Sequence, residues 1–243
     1  MSRLEPILPA HAEQRPLLGI LLITLAVAVF ASHDGMTKHL ATIWNVPMVV
    51  AIRYIVNTLA LAAIYAPQHG LGLIRTNRTG LVFVRGLCLS AASLFAGLAL
   101  TLMPVGETLS IIFLAPFLVM ILAGPVLGEK VPPVQWAAAI ASFAGVLLVA
   151  RPGSGLDPLG VAFAVACAIV TVGYYLLSRT LARTESTMAM LFHTALIGAV
   201  LFGAYLPWSL QGPMPQGRDL FLFIAIGLFA TFGHYLFTTA FRI

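Results

Sequence analysis

Charge is scarce in this chain. Of its 243 residues only 9% are Asp, Glu, Lys or Arg and 60% are hydrophobic, whereas a soluble domain carries roughly 25% charged residues. That shortage excludes a water-soluble globular fold for most of the sequence. Acids are rarer still, 8 against 13 bases, an excess that would suit nucleic acid if the bases were clustered. They are scattered among the ends of apolar segments with no dense basic patch, so a nucleic-acid partner is set aside. Cysteine is limited to Cys88 and Cys167, both inside apolar segments. They form neither a disulfide framework nor a CxxC spacing, and no metal site is expected. No HExxH, GxSxG or Asp-rich motif occurs, so neither an enzymatic reaction nor a cofactor is indicated. No A-x-A site closes the first apolar run, which therefore reads as a retained membrane helix rather than a cleaved signal.

What is abundant is apolar sequence in long runs. Segments bounded by Pro, Gly or charge lie at approximately 17–38, 46–66, 80–101, 105–124, 132–150, 158–178, 187–208 and 219–241. A helix needs about 20 apolar residues to cross a bilayer, so these are eight spans of an all-α polytopic membrane protein, with the lipid bilayer as its main partner. Residues 1–16 read as a cytoplasmic tail. With the N-terminus inside, one side holds Arg3, Arg15, Arg75, Arg78, Arg85, Lys130, Arg179, Arg183 and Arg242, and the other holds Lys38, Arg151 and Arg218. Nine against three is a positive-inside bias and sets the orientation.

A shift of 141 residues exposes an internal repeat. At that one offset Leu18-Gly19 falls on Leu159-Gly160, Lys38-His39-Leu40-Ala41 on Arg179-Thr180-Leu181-Ala182, Gly86-Leu87 on Gly227-Leu228, and Ala99 on Ala240. The unit, 17–157, holds five spans, an odd number, so the second copy from 158 enters the membrane inverted. Inverted repeats are typical of secondary transporters, with the site near the midplane where the halves meet. Spans four and five, Val105 to Ala150, would have counterparts at about 246–291. The expectation is therefore of inverted five-helix repeats with eight of ten transmembrane helices present, the second repeat incomplete.

The run Ala99 to Gly153 carries a more specific pattern: Ala99-Leu100, the Glu107 to Ser110 entry into span four, Pro116 in mid-span, Gly128-Glu129-Lys130, and Gly145 leading into Arg151-Pro152-Gly153. It resembles the first-repeat signature of the EamA family in the drug/metabolite transporter superfamily, and the likeness extends over 17–243. The resemblance implies a ten-helix bundle of two inverted repeats that moves small metabolites across the plasma membrane.

An ionisable group in the hydrocarbon core costs on the order of 2.5–3.5 kcal/mol, so it needs a partner, a wet cavity or an interface. His33 and Asp34 near the end of span one, Arg53 inside VVAIRYIVN and Glu107 at the start of span four share one depth range. Asp34 can pair with Lys38 at i+4, or face a cavity and pair with Arg53. Arg53 is too deep to snorkel and needs an anion, which makes it either a clamp between spans one and two or a ligand for substrate. Glu107 either complements the dipole of its helix or joins that cluster. Pro116 should kink span four beside the cavity. The offset maps His33-Asp34 to Tyr174-Tyr175, Arg53 to Thr194 and Ser93 to His234, so His33, Asp34, Arg53, Ser93, Glu107, Tyr174, Tyr175, His193 and His234 are the candidate substrate or proton-coupling residues. His193 and His234 can carry protons near neutrality or serve as hydrogen-bonding core residues. Ala137-Ala141-Gly145 and Gly160-Ala164-Ala168 allow close helix packing.

The reading that joins these features is a secondary transporter whose cavity is lined by spans one, three, four, six and eight, with a small-molecule substrate, room for proton coupling and room for a homodimer. The alternatives are an integral-membrane enzyme acting on lipid and a non-transporting scaffold, which would tolerate apolar replacement of its buried charges.

Overall fold

A backbone inside hydrocarbon has no water to bond, so a long apolar run there satisfies its own amides as an α-helix. The computed structural model describes residues 16–128, 131–150, 155–182, 184–210 and 215–240. Most of the expected tail, Glu129-Lys130 and Arg151-Pro152-Gly153 of the signature, and the loop bases Arg183 and Arg242 lie outside the described residues. Within them the order is α1 Pro16–Ile43, α2 Val46–His69, a 3₁₀ turn Gly70–Leu73, α3 Thr79–Leu102, α4 Val105–Ile112, α5 Leu114–Leu127, α6 Pro133–Ala150, α7 Pro158–Leu181, α8 Thr187–Ser209 and α9 Gly217–Ala240. Among the described residues seven segments are long and apolar enough to cross a membrane, α4 and α5 together forming one of them. The eighth, α6, is shorter: its 18 residues span about 27 Å.

Local chemistry sets several ends. Asp157 accepts from the Gly160 amide at 2.8 Å, with Pro158 opening α7. Ser186 accepts from the Ala189 amide at 3.1 Å and starts α8. Gly128 ends α5 in the left-handed region, φ 70°, which a side chain would disfavour. Span four breaks at Phe113 because Pro116 has no amide to offer the carbonyl of Ile112. The expected kink is present as a one-residue interruption at which Phe113 stays in the right-handed helical region, φ −68° and ψ 0°, and its amide still bonds the Leu109 carbonyl at 2.8 Å. Pro116 itself is exposed and is not among the residues that line the cavity.

Packing follows a definite pattern. Helix α3 lies along α7, α1 along α9 and α2 along α8; α2 also touches α9, and α8 touches α3. Glycines allow several close approaches, two of which pair α3 with α8 and α2 with α9. A Cβ on Gly86 would fall 2.5 Å from Ile197 Cδ1, and one on Gly227 would fall 2.5 Å from Val56 Cβ. Leu40, Met48, Val49, Phe223 and Ile226 form a buried cluster where α1, α2 and α9 meet. Large apolar side chains such as Leu17, Leu148 and Trp208 point outward, as lipid contact requires.

Candidate functional site

Five helices enclose a polar cavity in the middle of the bundle. Arg53, Tyr54 and Asn57 come from α2, Ser93 from α3, Tyr174 from α7, Thr194 from α8, and Thr231 and His234 from α9. Spans two, three, six, seven and eight therefore line it, and spans one and four, expected in the wall, do not. Its volume is ≈ 70 Å³, room for a few waters at ~10–15 Å³ each. Helical spacing aims the polar groups inward: Tyr54 and Asn57 are three apart on α2, Thr231 and His234 three apart on α9. The Tyr54 hydroxyl lies 2.8 Å from Ser93 Oγ and 3.2 Å from the Leu89 carbonyl. Thr231 donates to Asn57 Oδ1 at 2.9 Å.

Arg53 reaches the cavity from one end. Its guanidinium sits 4.7 Å from the centroid of the Tyr54 ring, and Nη1 lies 3.4 Å from Nε2 of His33. The other imidazole nitrogen, Nδ1, is 3.0 Å from Asp34 Oδ1. A neutral imidazole with its proton on Nδ1 donates to Asp34 and accepts from Arg53, so the cation meets the acid only through the ring. Asp34 does not pair with Lys38. The Lys38 ammonium instead donates to the carbonyls of Leu100 and Met103, the latter at 2.9 Å, at the C-terminus of α3 where a cation complements the dipole.

Arg85 is the residue that sequence reasoning misplaced. Counted there as a cytoplasmic loop base, it lies inside α3 and is 4% exposed. Its Nε donates to Ser178 Oγ at 2.7 Å, Nη1 to the Met190 carbonyl at 3.0 Å and to Thr194 Oγ1, and Nη2 to the Tyr174 hydroxyl at 2.9 Å. Its Cζ stands 4.5 Å from the centroid of the Tyr174 ring. Two of its partners, Tyr174 and Thr194, are cavity walls. A signal was available: Arg85, Leu89 and Ser93 recur at spacing four, on one helix face.

The other candidates sit apart from the cavity wall. Glu107 stands in the first turn of α4. Tyr175 packs with Ala115, Val119, Ala168 and Val172 between α5 and α7. His193 Nδ1 bonds the Ala189 carbonyl of its own helix at 2.9 Å. Among the described residues no group of three or more His, Cys, Asp or Glu is placed to hold a metal.

Loops are tied together at both ends of the bundle. At the start of α3, the Glu185 carboxylate accepts from the Asn77 amide at 2.9 and 3.1 Å and the Arg78 amide at 2.8 Å, an acid on a helix N-terminus. Asn77 Nδ2 donates to the Thr184 carbonyl at 2.7 Å, so the loops α2–α3 and α7–α8 are tied together. At the other end of α2, Trp44 Nε1 donates to Asp219 Oδ2 at 3.3 Å, tying loop α1–α2 to the start of α9.

Comparison with known proteins places these features. Residues 17–151 match the model of the EamA-like transporter family. The S-adenosylmethionine uptake transporter of Rickettsia prowazekii is 24% identical over 226 residues, 93% of this chain and 76% of its own. The riboflavin transporter of Rhizobium johnstonii is 25% identical over 231 residues, 93% and 75%, and the pseudopaline exporter of Pseudomonas aeruginosa PAO1 is 23% identical over 224 residues, 92% and 78%. A solved crystal structure shares the fold at a TM-score of 0.71, with 21% identity, covering 91% of this chain and 77% of that one.

Proposed function

The chain belongs to the EamA-like transporter family, and from that premise we propose that it is a secondary transporter carrying a small solute through the α2–α3–α7–α8–α9 cavity by alternating access. The observation that carries this reading is a polar cavity in mid-bundle, with loops tied across each end. The ties are equivalent under the 141-residue offset: Trp44 corresponds to Glu185 and Arg78 to Asp219. The Gly86–Ile197 and Gly227–Val56 contacts exchange in the same way, as do the pairs α3–α7 and α9–α1. An inverted repeat over 17–157 and 158–243 accounts for all of these at once. In such a transporter the end ties open in turn around a fixed site.

A cavity of ≈ 70 Å³ admits no metabolite of the size the relatives' names specify, so its walls must part for a solute to enter. Orientation by loop charge survives the reassignment of Arg85, since eight bases remain on one side against three. With the N-terminus cytoplasmic in the plasma membrane, the Glu185 tie faces the cytoplasm. His33, held between Asp34 and Arg53, is the group through which a proton would couple to the site. No hydrolytic or transfer chemistry is part of this reading, and the chain acts as a carrier rather than an enzyme.

Uptake into proteoliposomes, screened by competition across amino acids, nucleosides, cationic drugs and sugars, identifies the solute. Asp34→Asn and Arg53→Gln are each expected to reduce that uptake at least tenfold. Unchanged uptake in both variants would remove the site, and no uptake of any solute would remove the transport reading.

A further inference from the structure

We infer that the cavity is built to take the anionic group of its solute, a carboxylate or a phosphate, on Arg53, with Arg85 supplying a second positive charge behind the wall. The inference rests on the carrier reading above and narrows its substrate class. Its ground is an inventory of acids. Of the five in the described residues, Asp34 is bonded to the His33 ring, Asp157 caps α7, Glu185 ties the start of α3, Asp219 accepts from Trp44 and Glu107 opens α4. None lines the cavity. Among the described residues no carboxylate lies within 4.0 Å of either guanidinium.

The bonds that satisfy Arg85 come from hydroxyls and a carbonyl. These replace its water but leave its charge whole, and in a bundle of low dielectric that charge acts through Tyr174 and Thr194 into the cavity. Arg53 is half-buried and lines the space directly. The two cations stand at different depths. The level of Arg53 is set by its neighbour Tyr54, which bonds Leu89 and Ser93 of α3, and Arg85 is four to eight residues further toward the α3 start, or roughly 6–12 Å. A mobile anion would meet favourable potential along that whole distance, whereas a cation would meet repulsion with no acid in the wall to offset it. Planar guanidiniums over tyrosine rings are also fixed in orientation, as bidentate recognition of a carboxylate or phosphate needs.

The test uses the full chain in lipid nanodiscs and needs no known substrate. Thermal unfolding is measured with benzoate, glutarate and phenyl phosphate, each against a neutral isostere (benzamide, glutaramide, phenyl methanesulfonate), and with benzylamine as the cation. At least one anion is expected to raise the midpoint where its isostere does not, with the rise lost in Arg53→Gln and retained in part in Arg53→Lys. The carboxylate and phosphate arms tell the two chemistries apart. Equal shifts from neutral or cationic probes, no shift from any anion, or a full shift in Arg53→Gln would overturn the inference. Uptake of a neutral solute would remove the anion preference and leave the carrier; anion binding without uptake would do the reverse.

Discussion

A buried guanidinium is only as stable as its acceptors, and Arg85 has four of them on two other helices, Tyr174 and Ser178 on α7 and Met190 and Thr194 on α8. Lysine at this position would keep the charge and lose the fork. Hydrogen bonds to a charged group contribute about 1.5–3 kcal/mol each, so Arg85→Lys is expected to lower stability by about 2–4 kcal/mol once the ammonium recovers some partners. Chemical or thermal unfolding in detergent measures this, and a change under about 0.5 kcal/mol, the scatter of ordinary surface substitutions, would show that the acceptors are incidental. The contrast between the two arginines explains what sequence could reveal of the site. Arg53 interrupts VVAIRYIVN, and its depth alone announces a constraint. Arg85 sits in GLVFVRGLC, near enough to a loop to pass for a charge anchor, and only its acceptors on α7 and α8 show that it faces inward. The Asp34–Lys38 spacing misled for a similar reason. An i, i+4 pair is one option for each side chain, and Lys38 found unpaired carbonyls at the end of α3 instead.

At the level of helices, the spans were legible because hydropathy records which residues lipid will accept. Partner choice was not, because in a bilayer one apolar helix face resembles another and small-residue contacts decide association. Residues aligned by the 141-residue offset do carry that information: Gly86 and Gly227 meet Ile197 and Val56, each the counterpart of the other. The two contacts differ in how they would yield. At Gly86 the nearest atom is the terminal Cδ1 of Ile197, which can rotate away. At Gly227 it is Val56 Cβ, with the Arg53 carbonyl 3.1 Å off, and a β-branched side chain in a helix has essentially one rotamer. Gly227→Ala is therefore expected to cost about 1–3 kcal/mol by overpacking and Gly86→Ala distinctly less. Gly145→Ala on α6, where nothing lies within 4 Å, should gain up to about 1 kcal/mol of helix propensity. Unfolding midpoints of the three variants, ranked in that order, check the packing of α2 against α9 and of α3 against α8, with α6 as the uncontacted control.

Among the described residues two loop ties of different strength close the ends of the bundle, and Lys38 adds its bonds to the Leu100 and Met103 carbonyls at the Trp44 end. Glu185 makes charge-assisted bonds to two backbone amides at a helix start, while Trp44 gives Asp219 a single bond of 3.3 Å. Both acceptors are carboxylates, so both ties are charge-assisted, but Glu185 has three contacts of 2.8–3.1 Å against one of 3.3 Å at Asp219. Of the two loop ties the one at the Trp44 end, on the opposite face of the membrane from Glu185, should open first. The cavity residue Ser93 reports which end is open. In a chain with Cys88→Ser and Cys167→Ser, Ser93→Cys is the sole thiol, and a membrane-impermeant methanethiosulfonate can be applied to either face of oriented proteoliposomes. Labelling should be faster from the Trp44 face. Adding Glu185→Ala should raise labelling from the Glu185 face and lower it from the Trp44 face, because a carrier that opens more often to one side is closed more often to the other. Trp44→Ala should shift the balance in the opposite sense. A scaffold predicts something different: loosening either tie would raise access on that side alone and leave the far side unchanged. The reciprocal change is what separates alternating access from local fraying, and it can be read before any solute is known.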